Sequence, residues 1–241
     1  RKEVFLYAGF ILFLNFSSYK YSVNVSLAYI FFVFPILCLI WEPFIFFFSF
    51  AVFVTLIKNR EDSLKKILFK LFLSFSSSII TFIIILLNLL SPEEHFIMEK
   101  SLMDNFGEVC YMSCSLLKNK ANISSQFISV YNLLSLEIIF RYLIIVLIGF
   151  SALLILISNT QLNVRLTYSS LQNYKWINRN IIFILFIISL LPSIILFSSM
   201  TDWGRIVNLI YTFSILSYVY LLKNKLVYQD KKIKYFDNLY V

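Results

Sequence analysis

The chain has 241 residues, 60% of them hydrophobic and only 14% charged, whereas an ordinary globular domain carries about a quarter charged residues; no single aqueous core hides that much apolar surface. Its net charge of +8 would raise the question of nucleic acid in a soluble protein, but the basic residues lie in short loops beside apolar runs and read as topology signals. Only 4 glycines and 4 prolines interrupt it, which favours long helices, and the runs lack the alternation of a transmembrane barrel.

The expected fold is all-α, a polytopic transmembrane helix bundle of about seven spans. The hydrophobic segments are 4–18, 23–41, 43–57, 67–90, 135–158, 180–199 and 205–222. Because residue 1 is Arg and the first run is short, the chain reads as the C-terminal part of something longer. No signal peptide is recognisable at Arg1 and Lys2. Between the second and third segments stand only Trp41, Glu42 and Pro43, and proline disfavours helix at the residue before it, so a tight hairpin is expected there.

Alternating spans gather Lys20, Lys58, Arg60, Lys65, Lys66, Lys70, Arg165, Lys175, Arg179, Lys223, Lys225, Lys231, Lys232 and Lys234 on one side, two thirds of the 21 basic residues. The positive-inside rule makes that side cytoplasmic. Residues 1–222 then form the membrane domain, 223–241 a basic cytoplasmic tail, and 91–134 an extracytoplasmic loop. In that loop Leu102, Met103, Phe106, Val109, Cys110, Leu116 and Leu117 recur at helical spacing among Glu99, Asp104 and Glu108, which suggests an amphipathic helix along the outer interface. Ser124 and Ser125 are the expected N-cap of a helix running through Glu137 and Arg141 into the fifth span. Cys110 and Cys114 are four apart: an oxidising compartment would allow a bridge, a helical loop would strain it, and both readings stay open. Tyr19, Tyr21, Tyr168, Tyr174, Trp176 and Trp203 near span ends fit an interfacial belt, and the run from Phe44 to Phe53 is lipid-facing or packing material.

The four glycines are isolated, so no loop cradles phosphates, and with one histidine and no Cys-x-x-Cys pattern neither a metal site nor a cofactor is expected. The segment Leu191-Pro192-Ser193, followed by Asp202-Trp203-Gly204-Arg205, is the most informative. Asp202 and Arg205 can pair across a helical turn, Gly204 would let the backbone bend, and Trp203 would anchor at headgroups; the same residues also suit a plain interfacial turn with snorkelling charges. Glu137 and Arg141 suit an i,i+4 ion pair where the fifth span enters the membrane. Glu42 is a proton acceptor if buried and a solvated loop carboxylate if not, and His95 opens the outer loop as a further substrate contact or a simply exposed side chain. Seven spans put all six of these residues on the extracytoplasmic side.

With its Phe- and Ile-rich spans, its outer loop and the Asp202-Trp203-Gly204-Arg205 turn before a final span, the chain resembles the polymerases of bacterial O-antigen, capsule and exopolysaccharide assembly. The resemblance centres on 180–222. It implies an inner-membrane protein acting on a polyisoprenyl-pyrophosphate-linked glycan at the outer face, among other envelope-assembly proteins, with Arg141 and Arg205 holding the lipid pyrophosphate and Asp202 or Glu42 as acid or base. Such polymerases have more spans than this chain. The rival readings are a transporter or flippase, in which a break at Leu191-Pro192 marks a moving helix, and a noncatalytic membrane subunit that docks through the outer amphipathic segment.

Overall fold

The structure, a computed structural model, describes residues 2–18, 22–59, 62–88, 91–109, 123–162, 175–200 and 202–229. In chain order the helices are α1 (Lys2–Phe16), α2 (Val23–Ile40), a 3₁₀ helix (Glu42–Phe47) continuing into α3 (Phe48–Lys58), α4 (Leu64–Leu87), α5 (Pro92–Phe106), α6 (Ile123–Leu133), α7 (Leu136–Ser158), α8 (Lys175–Ser199) and α9 (Trp203–Lys223). Two short strands, β1 (Thr160–Leu162) and β2 (Val227–Gln229), pair antiparallel with Thr160 opposite Gln229. Each of the seven hydrophobic segments is thus helical. Five helices are long and apolar enough to cross a membrane: α2, α4, α7, the Ile181–Ser199 part of α8, and α9. The chain is therefore a multi-pass, all-α helical bundle.

Contacts between helix ends set the directions. Glu3 at the start of α1 bonds Arg205 at the start of α9, while the Tyr220 hydroxyl near the end of α9 donates to the carbonyl of Ser17 just past α1, so these two helices run parallel. Helix α7 runs the same way, since Tyr142, Phe150 and Thr160 meet Trp203, Tyr211 and Tyr218 in register. Helix α2 returns antiparallel to α1, with the Tyr29 hydroxyl donating to the Gly9 carbonyl at 2.9 Å and Lys2 over the ring of Trp41. The hairpin forms where Pro43 demands it: Trp41 is extended (φ −157°, ψ 104°) and ends α2, and Pro43 sits in the first turn of the 3₁₀ helix, where its missing N–H costs nothing.

The aromatic run after the hairpin is core and not a lipid-facing surface. Phe44, Phe47, Phe48, Phe50 and Phe53 are all buried. Phe213 of α9 is the hub: Phe10 meets it edge-on at 4.7 Å between ring centroids, Phe47 lies at 5.1 Å, and Tyr7, Phe44 and Phe50 complete the ring. Each such aromatic pair adds about 0.5–1.5 kcal/mol beyond area burial. Gly9 admits α2 closely at this level, because a Cβ there would lie 2.6 Å from a Leu37 methyl carbon.

Two prolines lie inside helices. Pro35 has no N–H, so the carbonyl of Phe31, four residues earlier, loses its intrahelical donor. The Ser77 hydroxyl of α4 donates to that carbonyl at 2.7 Å. Around Pro192, α8 runs unbroken from Lys175 to Ser199; the carbonyl that loses its donor is that of Ile188, and the Ser49 hydroxyl of α3 donates at 2.6 Å to the neighbouring Ser189 carbonyl. The break expected at Leu191-Pro192 is therefore absent.

The segment after α4 also departs from expectation. Ser91 and Glu94 close a reciprocal capping box at the start of α5, and Gly107, left-handed at φ 64°, ends it with its N–H on Met103. The amphipathic helix is therefore shifted toward the N-terminus, with Phe96, Met103 and Phe106 exposed, and Cys110, Cys114, Leu116 and Leu117 lie outside the described residues. Ser124 and Ser125 fall within α6, and the helix bearing Glu137 and Arg141 starts afresh, capped by Ser135, whose hydroxyl accepts from the Ile138 N–H at 3.2 Å.

Replacing Ser77 by Ala is expected to destabilise the bundle by about 1 kcal/mol, measured by unfolding in mixed micelles. In a Pro35→Ala background, where residue 35 again donates to Phe31, the same replacement is expected to cost much less. An equal loss in both backgrounds would show that Ser77 does not serve the orphaned carbonyl.

Candidate functional site

The site grows out of the start of α9. Asp202 is its N-cap: one carboxylate oxygen accepts from the Arg205 backbone N–H at 3.2 Å, and the other from Arg205 Nη2 at 3.0 Å. One side chain therefore both caps the helix and grips the guanidinium three residues on. Arg205 Nε then donates to Glu3 Oε1 of α1 at 3.1 Å. The result is a carboxylate–guanidinium–carboxylate bridge between the heads of two parallel helices.

Aromatic packing holds this bridge in place. Trp203 is buried, and its indole N–H donates to the Phe197 carbonyl at 2.8 Å. Its ring meets Tyr142 of α7 at 5.0 Å and Phe197 of α8 at 5.7 Å, which fixes the α8–α9 turn against the head of α7. Across the head of α1, Lys2 Nζ lies 5.7 Å from the Trp41 ring centroid. A cleft of about 700 Å³ opens here, lined by Lys2, Glu3, Tyr7, Gly204, Arg205 and Asn208.

Gly204 is part of the helix and its backbone is not left-handed, so it supplies no bend. A Cβ there would meet nothing within 4 Å, so no close approach demands glycine at this position either. The Arg205 side chain is 41% exposed and those of Glu3 and Asp202 are 24% and 52% exposed. Solvent screening at that exposure keeps the pairs weak as stabilisers. Their consequence is geometric: they orient the guanidinium.

The remaining candidates are less concentrated. Glu137 and Arg141 form their i,i+4 pair at 2.9 Å, with side chains 80% and 66% exposed, and no contact among the described residues joins them to Arg205. Tyr142, next to Arg141, is the link to the site through Trp203. Glu42 is exposed at the start of the 3₁₀ helix, which removes the reading of a buried proton acceptor. His95 is buried at 3% exposure in the first turn of α5, not exposed, and it does not line the cleft. No group of three His, Cys, Asp or Glu side chains comes together among the described residues.

Lys2 and Glu3 were missed in the sequence. They head the first helix, 200 residues from Arg205, and nothing local marks them. The expected alternation of seven spans would put the heads of the first and last on one side, but only the fold makes those helices neighbours.

Glu3→Ala is expected to lower the thermal midpoint in detergent more than Glu137→Ala, with neither exceeding about 1 kcal/mol, since the first carboxylate joins two helices and the second pairs along one solvated turn. Equal effects would mean that the α1–α9 bridge contributes nothing to how the helices are held.

No family model matches the chain, and no curated protein or solved structure is similar to it. The geometry of the cleft is what carries a functional reading.

Proposed function

We propose that the chain is a multi-pass protein of a bacterial inner membrane that acts in surface-polysaccharide assembly, and that the α1–α9 cleft handles the head of a lipid-linked oligosaccharide during glycosyl transfer at the extracytoplasmic face. The observation that carries this reading is the Glu3–Arg205–Asp202 bridge at the mouth of an open cleft at one end of the bundle. A polyisoprenyl-linked substrate keeps its tail in lipid and its polar head at that level. As an acceptor hydroxyl attacks the anomeric carbon, the new C–O bond forms, the bond to the lipid pyrophosphate breaks, and a carboxylate of the cleft takes the hydroxyl proton.

In this reading the bundle crosses the membrane seven times. The 3₁₀ helix and α3 together extend about 28 Å at about 2.0 and 1.5 Å per residue, close to the roughly 30 Å of the hydrocarbon, and α1, about 22 Å long, supplies the remaining crossing beside α9. The opposite end carries Lys58, Lys65, Lys66, Lys223 and Lys225, so that end faces the cytoplasm and the tail lies inside. The transport reading loses its support, since α8 is continuous through Pro192.

One observation favours a second reading, a noncatalytic membrane subunit. Helix α7 buries only Phe150, Leu153 and Ile157, and Phe140, Leu147 and Ile148 are more than half exposed.

Arg205→Ala is expected to abolish extension of the surface glycan, read as loss of the long-chain ladder, while protein level and membrane insertion stay normal. A normal ladder in that variant, with a defect instead from replacing Phe140 and Ile148 by Ser, would overturn the transfer reading in favour of the subunit.

A further inference from the structure

Of the described charged groups, Lys2, Arg205 and Glu3 line the cleft, and Asp202, paired to Arg205 at its edge, brings the local charge to zero. The guanidinium spends Nε and Nη2 on the two carboxylates, which leaves three of its five N–H donors unspent. Lys2 makes no ion pair among the described residues; its neighbour is the face of Trp41. Asn208 Oδ1 accepts from the Thr212 hydroxyl at 3.2 Å, which leaves its amide N–H groups as donors.

A pyrophosphate is poorly served by this arrangement. It would meet two carboxylates along with the two cations, and to grip Arg205 by its occupied edge it would have to displace Glu3 or Asp202 and strand that carboxylate. A sugar ring has the opposite requirement. Each hydroxyl donates one hydrogen bond and accepts others, so it needs donors and acceptors interleaved at short range. Here the Glu3 carboxylate stands among guanidinium, ammonium and amide N–H groups. Tyr7, its ring 5.9 Å from Phe213 and fixed by the core, supplies a flat wall for the C–H face of such a ring. The volume, about 700 Å³, is that of an ordinary small-molecule site.

We infer that the α1–α9 cleft is a saccharide subsite: it takes an uncharged sugar, with Glu3 accepting from its hydroxyls and Lys2, Arg205 and Asn208 donating to them, while Asp202 orients Arg205 from the edge and the lipid pyrophosphate lies outside. This rests on the glycan reading of the previous section and assigns which part of that substrate the cleft holds. It also gives Lys2 and Glu3 a ligand-binding role that neither the resemblance nor local sequence assigns.

The test uses the full chain in phosphatidylcholine nanodiscs and three probes: the neutral repeat oligosaccharide released by mild acid from the surface glycan of the source cells, inorganic pyrophosphate, and farnesyl pyrophosphate. The oligosaccharide is expected to bind, with affinity falling about tenfold in Lys2→Met and in Glu3→Gln, each removing one or two hydrogen bonds. Neither pyrophosphate probe is expected to compete with it, and Glu3→Gln, which leaves the cleft with a net positive charge, is expected to gain pyrophosphate binding. Cooperative thermal unfolding in both variants, with midpoints lowered no further than expected for Glu3→Ala, establishes that they fold. Pyrophosphate or farnesyl pyrophosphate binding to the unmodified chain that Arg205→Ala removes, or oligosaccharide binding indifferent to both variants, would overturn the inference. A normal glycan ladder in Arg205→Ala cells together with oligosaccharide binding at the cleft would sink the transfer reading and leave the subsite standing; a lost ladder without such binding would do the reverse.

Discussion

Every backbone N–H and C=O inside the hydrocarbon must find a partner within the protein, and this constraint shapes the rest of the molecule. It makes each apolar segment a helix. Where Pro35 removes a donor, Ser77 serves the Phe31 carbonyl it leaves; in α8, Ser49 donates to the Ser189 carbonyl, three residues before Pro192. These hydroxyls bind helices to one another as a by-product of satisfying the backbone, so α2 is tied to α4 and α3 to α8 at the points where each helix is intrinsically weakest.

The same constraint moves charge to the ends. Phenylalanines from α1, the hairpin and α9 fill the middle of the bundle around Phe213, leaving the heads and tails of the helices as places for ionised side chains. The two ends are built differently. At one, Glu3, Arg205 and Asp202 form a charged bridge beside an open cleft. At the other, Tyr220 and Lys58 donate to the last carbonyls around α1, at Ser17 and Ser18, which closes off a helix terminus. The charged bridge is too exposed to hold the helices together. The lock formed by Trp203, Tyr142 and Phe197 and the aromatic hub beneath it set the geometry, and the charges are positioned by them.

Run length and composition were enough to read the helical class and the seven apolar segments, and Pro43 was enough to place the hairpin. The i,i+3 and i,i+4 spacings also foretold the Asp202–Arg205 and Glu137–Arg141 pairs, because both lie within one helical turn. What escaped were properties set by packing. Gly204 looked like a hinge because glycine permits one, but an N-capped helix start gave it no reason to bend. Pro192 looked like a break because proline removes a backbone donor, yet α8 continues through it. His95 looked exposed after Glu93 and Glu94 and is buried. Glu3 could not be found at all without knowing that α1 and α9 lie side by side.

The account depends on the heads of α1, α7 and α9 and the Trp41 hairpin sharing one face of the membrane. Single cysteines placed at Glu42, Glu137 and Gly204, and at Asn59 and Asn224, in a background with Cys38, Cys110 and Cys114 replaced, can be probed with a membrane-impermeant maleimide applied from one side of sealed vesicles. The first three are expected to react from the same side and the last two only from the other. Reaction of position 137 or 204 from the opposite side to position 42 would place the cleft's components in different leaflets and contradict the site.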